Sequence, residues 1–239
     1  MLSPSRPLHS GLSGYAPGIS RRVLLFGLPA ACLVSPQSLL AADLPQPPLG
    51  FYHYSMTEAD RGAIGESTTE LKQDGEVLEA QVERRVRVRI LGITVYRYES
   101  KMTQRVQGGR LISLSRDTDD NGDEDRLRIT ARDGALAAER NGESWTLAGD
   151  LLPSSAWNPQ VIAAKELIDI ETGKAVPVDG SLVGEGEVLA AGRRSNAQRV
   201  KQGGALDRDL WFDAKGRLLR MVVRRRGATV TFALTKAPA

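Results

Sequence analysis

The amino-acid sequence predicts an all-β protein: a single curved antiparallel meander sheet, drawn into a half-barrel or open barrel, with one short helix. Three observations predict it. From Phe51 onward the chain is punctuated by Asp74-Gly75, Gly108-Gly109, Asn121-Gly122, Asp133-Gly134, Asn141-Gly142, Asp179-Gly180, Gly203-Gly204 and Asp213 to Gly216. These are the residues that tight hairpin turns require. Between them apolar and polar residues alternate with period two, and no βαβ alternation appears. Finally, the run from Glu76 to Ile90 would reach about 50 Å at ~3.3 Å per residue, against ~17–20 Å for an ordinary strand. Strands that long twist and bend, which favours curvature over a flat sandwich.

Residues 1–42 read as an export signal peptide. A polar stretch free of acids leads to Arg21-Arg22, then to an apolar run ending near Val34, then to Ala41-Ala42. That is the charged, apolar and small-residue order of a cleaved leader. The apolar run is too short for a membrane span, which needs ~20 residues. The paired arginines make the leader twin-arginine-like, with Leu24 where the commonest form has Phe; an ordinary secretory leader containing Arg-Arg fits the same residues. Cys32 raises lipid attachment as a third reading, against which Pro29 stands where a lipobox wants Leu. The expected location is the periplasm, with the chain soluble after cleavage.

The leader holds three arginines and no acid, so from Asp43 onward 29 basic residues meet 29 acidic ones. It also holds the only cysteine and one of the two histidines. A cleaved chain would therefore be formally neutral, cysteine-free, and left with His53 alone. Disulfides, thiolate chemistry, cysteine zinc sites and cysteine-linked haem are then excluded.

After the leader, residues 43–49 form a proline-rich lead-in that cannot sit inside a sheet. Residues 50–235 read as one β domain and 236–239 as a tail. The clearest strands are Val82 to Ile90, Ile93 to Val106, Arg126 to Ala131, Asp209 to Asp213, Leu218 to Arg225 and Ala228 to Leu234. In the first, Val82, Val86, Val88 and Ile90 share one face, with Arg84 as an exception among them, and Arg85, Arg87 and Arg89 share the other. Asn158 to Ile168 breaks the pattern: Val161, Ala164, Lys165 and Ile168 fall at helical spacing and Pro159 suits a first turn. A helix there would lie across an open barrel end as a lid.

Several motifs in order carry a resemblance. Phe51-Tyr52-His53-Tyr54 is followed by Gly62-Ala63-Ile64-Gly65, and the long hairpin ends in Gly92-Ile93-Thr94-Val95-Tyr96-Arg97-Tyr98. Then come Thr118-Asp119-Asp120-Asn121-Gly122, Pro153-Ser154-Ser155-Ala156-Trp157-Asn158, and Leu210-Trp211-Phe212-Asp213 with Gly216-Arg217-Leu218. Together these resemble a family of exported bacterial β-rich proteins known only as a domain of unknown function. The resemblance implies export and an all-β meander, lipocalin-like or LolA-like in outline, and it brings no activity, substrate or catalytic residue.

The residues themselves assemble no complete catalytic constellation. A Ser-His-Asp site has one candidate histidine, His53, and no Gly-x-Ser-x-Gly elbow. Asp209 and Asp213 flank Trp211, yet on one strand they stand ~13 Å apart, beyond the roughly 5–9.5 Å that paired glycosidase carboxylates need. Gly184-Glu185-Gly186 lacks the third glycine of a dinucleotide fingerprint. For a cofactor the expectation is none, with calcium as the one alternative: Asp117, Asp119, Asn121, Asp123 and Asp125 follow the opening spacing of a calcium loop, but Arg128 stands where the bidentate carboxylate belongs. An acidic hairpin loop turned by Asn121-Gly122 explains the same residues.

Arginines recur in runs, including Arg84 to Arg89 and Arg217 to Arg226. The formal neutrality of the cleaved chain and its few aromatics speak against nucleic acid, whereas an anionic envelope component suits the clusters. The candidate ligand-binding residues are Trp157, Asn158, Trp211, Tyr96 and Tyr98. Two functions of different class remain. One is a non-enzymatic carrier or sensor of an apolar or amphiphilic molecule, held by a curved sheet with arginines near its rim. The other is a cell-envelope interaction or assembly protein with a packed interior, and an exported hydrolase trails both. A cavity above ~300 Å³ separates the first two.

Overall fold

The computed structural model describes residues 44–225 and 227–238. The twin-arginine pair, Cys32 and Ala41-Ala42 lie outside the described residues. Among the described residues fifteen strands are arranged as one open, curved, almost wholly antiparallel sheet. Leaving the middle of the sheet in one direction come β1 (Gly50–Glu58), β2 (Gly62–Asp74), β3 (Val77–Ile90), β4 (Ile93–Gln107), β5 (Arg110–Asp120), β6 (Asp123–Arg132), β7 (Ala135–Arg140) and β8 (Glu143–Ala148). The chain then crosses to the far edge. There lie β9 (Leu152–Pro153) and β10 (Glu166–Ile168), which pair in parallel.

From that edge β11 (Ala175–Ala190), β12 (Arg193–Gly204), β13 (Arg208–Phe212), β14 (Leu218–Arg225) and β15 (Ala228–Lys236) return strand by strand. β15 pairs with β1, Tyr54 opposite Leu234, so the two ends of the domain meet mid-sheet. β5 also touches β9, from the other end of the strand order. The sheet is therefore curled round on itself.

Alternation decides the inner face. Tyr52, Tyr54 and Met56 of β1, Leu114 of β5, Leu127 and Ile129 of β6, and Leu210 and Phe212 of β13 are buried in one core. A bulge interrupts β2: Met56 pairs with Gly65 and Thr57 with Ala63, leaving Ile64 as the extra residue. The inward phase switches there, from Ile64 to Ser67, Thr69 and Leu71. Such bulges add the local bend that a curled sheet needs.

Six of the sequence-read turns close hairpins as expected, the five from Asp74-Gly75 to Asn141-Gly142 and Asp213 to Gly216 between β13 and β14. Asp179-Gly180 does not. It lies inside β11, with Asp179 opposite Gly203. A side chain at Gly180 would strike the Ile162 carbonyl, so this glycine lets the crossover segment approach the strand. The helix expected over Asn158 to Ile168 shrinks to a 3-10 turn, Pro159–Ile162, capped by the Asn158 side chain, which accepts a hydrogen bond from the Gln160 amide at 3.0 Å. Its second half became β10. Leu167 and Ile168 are both fully buried, and a strand points successive side chains to opposite faces where one surface helix stripe could bury only one of them.

Candidate functional site

The inner face of the curl encloses a half-open cavity of about 830 Å³. Its apolar wall comes from the long β3–β4 hairpin, whose inward phase supplies Val82, Val86, Val88 and Ile90 from one strand and Tyr96 and Tyr98 from the other. Met102, Met221, Val230 and Phe232 continue that wall.

A polar wall lies beside it, organised by the loop between β10 and β11. The Asp169 side chain accepts hydrogen bonds from the Glu171 amide (3.1 Å) and the Thr172 hydroxyl (3.0 Å), folding the loop on itself. The Gly173 carbonyl accepts from Trp145 Nε1 at 3.1 Å, which anchors the loop to β8. The loop thus carries Glu171 to two inward arginines. Arg116 donates to the Glu171 carboxylate at 2.9 Å and to its backbone carbonyl at 3.1 Å, and it also pairs with Asp125. Arg84 reaches the other Glu171 oxygen at 3.4 Å. Arg140 holds Asp125 from behind at 2.7 Å. The loop, and not a helix at Trp157 to Ile168, is what fills this side of the barrel.

Arg208 completes the wall. It is 6% exposed, donating Nε to Gln202 Oε1 (2.7 Å) and Nη1 to the Ser154 carbonyl (2.6 Å). Burial pushes its pKa down to about 10, with the charge on Asp169 opposing the shift. It remains charged at neutral pH.

Of the sequence-read ligand residues, the structure brings three to the cavity. Tyr96 and Tyr98 line it, the Tyr98 hydroxyl lying 3.5 Å from Glu171. Trp157 is buried at its edge and donates Nε1 to Gln104 Oε1 at 3.1 Å. Asn158 instead caps the 3-10 turn beside a smaller recess of about 130 Å³. Trp211 is not among the lining residues; its ring lies between the guanidiniums of Arg199 and Arg220, each 5.2 Å from the centroid. It shares a face with Asp209, which Arg199 and Arg224 hold at 2.9 and 2.8 Å. Burial works to raise the Asp209 pKa, but those two arginines hold its carboxyl below the usual range.

The acidic hairpin splits its carboxylates between faces. Thr118 stands opposite Asp125 on the inner side, so Asp125 turns inward to Arg116 while Asp117 and Asp119 turn outward. Asp117 pairs with Arg128 at 2.7 Å and Asp119 with Arg97, and the Gly122 amide donates to Asp119 at 2.8 Å. Asn121 takes a left-handed φ of 57° to make the turn, and Asp123 beside it is exposed. Among the described residues no group of three or more metal-ligating side chains converges. His53 sits on the outer face, 3.1 Å from Glu66 and 2.6 Å from the Thr235 hydroxyl.

Sequence reasoning missed Arg116, Glu171 and Arg208. A signal existed for two of them. Arg116 shares its phase with Leu114 and Thr118, and Arg208 shares its phase with Leu210 and Phe212, as Arg84 does with Val82 and Val86. A charged residue at an apolar phase marks a polar group turned into the barrel. Glu171 lies in a loop and carries no such mark.

Among solved structures, the chain is similar to a β-barrel-like protein of the domain of unknown function DUF1849 from Brucella abortus. The two share 12% identity and a TM-score of 0.62, over 81% of this chain and 98% of that one. A DUF1089 family protein from Pseudomonas aeruginosa aligns over 64% of this chain and 87% of its own, at 16% identity and a TM-score of 0.36. No curated protein matches the chain. The first likeness is one of fold, agreeing with the curled open sheet. The family is fixed by a match over residues 57–235, most of the β domain: this chain belongs to the domain of unknown function DUF6134.

Proposed function

We propose that the protein is an exported, non-enzymatic carrier or sensor that takes an apolar or amphiphilic molecule into the curl of its sheet. The observation that supports this reading is the cavity. At about 830 Å³ it falls among small-molecule sites, which run ~300–1,000 Å³ and are mostly apolar with a few placed polar groups. Its apolar wall suits an alkyl chain and its arginine-rich wall suits a head group. An envelope-interaction protein with a filled interior would not need such a space. Export rests on the leader, Arg21-Arg22 through Ala41-Ala42.

Burial of eight methylenes at ~0.8 kcal/mol each gives at most about 6 kcal/mol before association costs. Binding of a short-chain amphiphile is therefore expected in the micromolar to millimolar range. Titration with a fatty acid or lysolipid should change tryptophan fluorescence saturably, and Trp157→Phe should reduce the change, since Trp157 borders the cavity. Native mass spectrometry of protein recovered from a periplasmic extract should show a chain beginning at Ala42 or Asp43 with a retained small molecule. No saturable response to any amphiphile would end the carrier reading, and a periplasmic form that kept its leader would end the proposed processing.

A further inference from the structure

Buried polar atoms in folded proteins almost always have partners. Among the described residues three guanidinium nitrogens do not: Arg84 Nε, Arg116 Nε and Arg208 Nη2. All three residues line the same cavity. Arg84 and Arg116 already share the Glu171 carboxylate. Arg208 is different, because both of its hydrogen bonds go to neutral oxygens. Among the described residues no carboxylate lies within ion-pair distance of it, Asp169 reaching it only through its field, and a buried cation without a direct partner is costly. Its fork is held in place, since Gln202, which orients Nε, itself donates to the Val161 carbonyl at 2.9 Å. One buried nitrogen of a preset guanidinium is thus left without a partner, on a residue that lines a mostly apolar space.

We propose that the ligand is an alkyl oxyanion, a single chain ending in a carboxylate or phosphate, and that Arg208 Nη2 is the donor that takes its head group. The inference rests on the cavity reading given above and names its ligand class. Guanidinium donors bind both oxyanions in fixed geometry, while the valine and tyrosine wall takes the chain. A cationic head group would meet like charge at Arg208, since Asp125, Asp169, Glu171 and Asp207, which also line the cavity, are each paired with an arginine.

The test titrates dodecanoate, dodecyl phosphate and dodecanol, equal in chain length, into the signal-cleaved protein. Both anions should bind at least about tenfold tighter than the alcohol, the scale of one charge-assisted hydrogen bond. Arg208→Gln should remove that preference, and Arg208→Lys should keep part of it. The stronger anion identifies the source, a free fatty acid or a phosphorylated lipid. If dodecanol matches the anions on the unaltered protein, the head-group inference falls and the cavity reading stands; if no chain binds, both fall. An anion preference that survives Arg208→Gln also overturns the assignment. Should the Gln variant fail to fold by circular dichroism, the comparison on the unaltered protein decides.

A second inference comes from a separate observation. β3 pairs with β2 only as far as Val86, and β4 begins pairing with β5 at Tyr98. Between them residues 87–97 project as a two-stranded ribbon. Its tip exposes Leu91 (97%), Ile93 (70%), Ile90 (57%) and Val95 (48%). Leu91 holds a left-handed φ of 49°, the turn conformation that Asn121, Asp133 and Asn141 supply in three other hairpins and Ala191 in a fourth. An apolar side chain is kept where a polar one would fit with less strain. The ribbon carries Arg87, Arg89 and Arg97 and no acid; Arg87 and Arg97 reach carboxylates at its base.

We infer that this tip docks on an anionic lipid surface, leucine and isoleucines entering the interface and arginines meeting head groups. Ile90 and Val95 also line the cavity, which places its mouth at that surface. In flotation assays the protein should bind vesicles containing phosphatidylglycerol and not vesicles of phosphatidylcholine alone. Leu91→Asn with Ile93→Asn should abolish binding while leaving the fold intact. Equal behaviour on both vesicles, or binding unchanged in the double variant, would overturn it. A dimer in light scattering that the double variant dissolves would instead assign the tip to a second copy.

Discussion

Arg116→Ala is expected to lower stability by about 3–5 kcal/mol, the cost of breaking a buried ion network from one side. Its side chain is 3% exposed and is shared by Asp125 and Glu171. Removing it leaves two carboxylates facing each other inside the barrel, with Arg140 and Arg84 as their remaining partners. In thermal unfolding this corresponds to a fall of roughly 6–20 °C for a domain of this size. The loop that carries Glu171 should loosen, read as faster amide exchange at Glu171 and Gly173. Arg126→Ala is the control: its pair with Glu124 is exposed on both sides and should cost under about 1 kcal/mol. Equal effects of the two variants would show that the buried network does not hold the loop.

Gly65→Ala is expected to cost up to about 3 kcal/mol through overpacking, although it adds one methyl group. Gly65 sits at the β2 bulge, opposite Met56 and Val86. A Cβ there would collide with the Arg85 carbonyl and stand 2.9 Å from the Val86 Cα. Both obstacles are backbone, so no side chain can swing aside. Relief requires β2 and β3 to separate where Ile64 and Val86 line the cavity, and amphiphile binding should weaken along with stability. Gly62→Ala makes a contrast, because its φ of 74° costs strain but nothing stands within 4 Å. Chemical denaturation of both variants would measure the difference, and a Gly65 variant as stable as the parent would refute the close approach.

The sequence by itself determined the all-β class, the single curved antiparallel sheet and the approximate bounds of six of its strands. Those follow from local rules: period-two burial, and turn residues whose left-handed φ few others adopt. Val86, Val88 and Ile90 were legible as the inner face of one long hairpin, because the opposite phase carries Arg85, Arg87 and Arg89. Tertiary structure decided what counting could not reach. Trp211 alternates correctly but belongs to the outer side, since phase names two faces without saying which is inside. The segment after Trp157 had helical spacing, yet pairing with β9 and β11 buried Leu167 and Ile168 on both sides. Asp179-Gly180 looked like a turn and is a place where another backbone comes close. The polar wall was hidden most fully. Arg84, Arg116, Glu171 and Arg208 span 124 residues of separation in the chain, and only closure of the sheet brings them to one cavity, where the low dielectric makes each pairing and each unpaired nitrogen count.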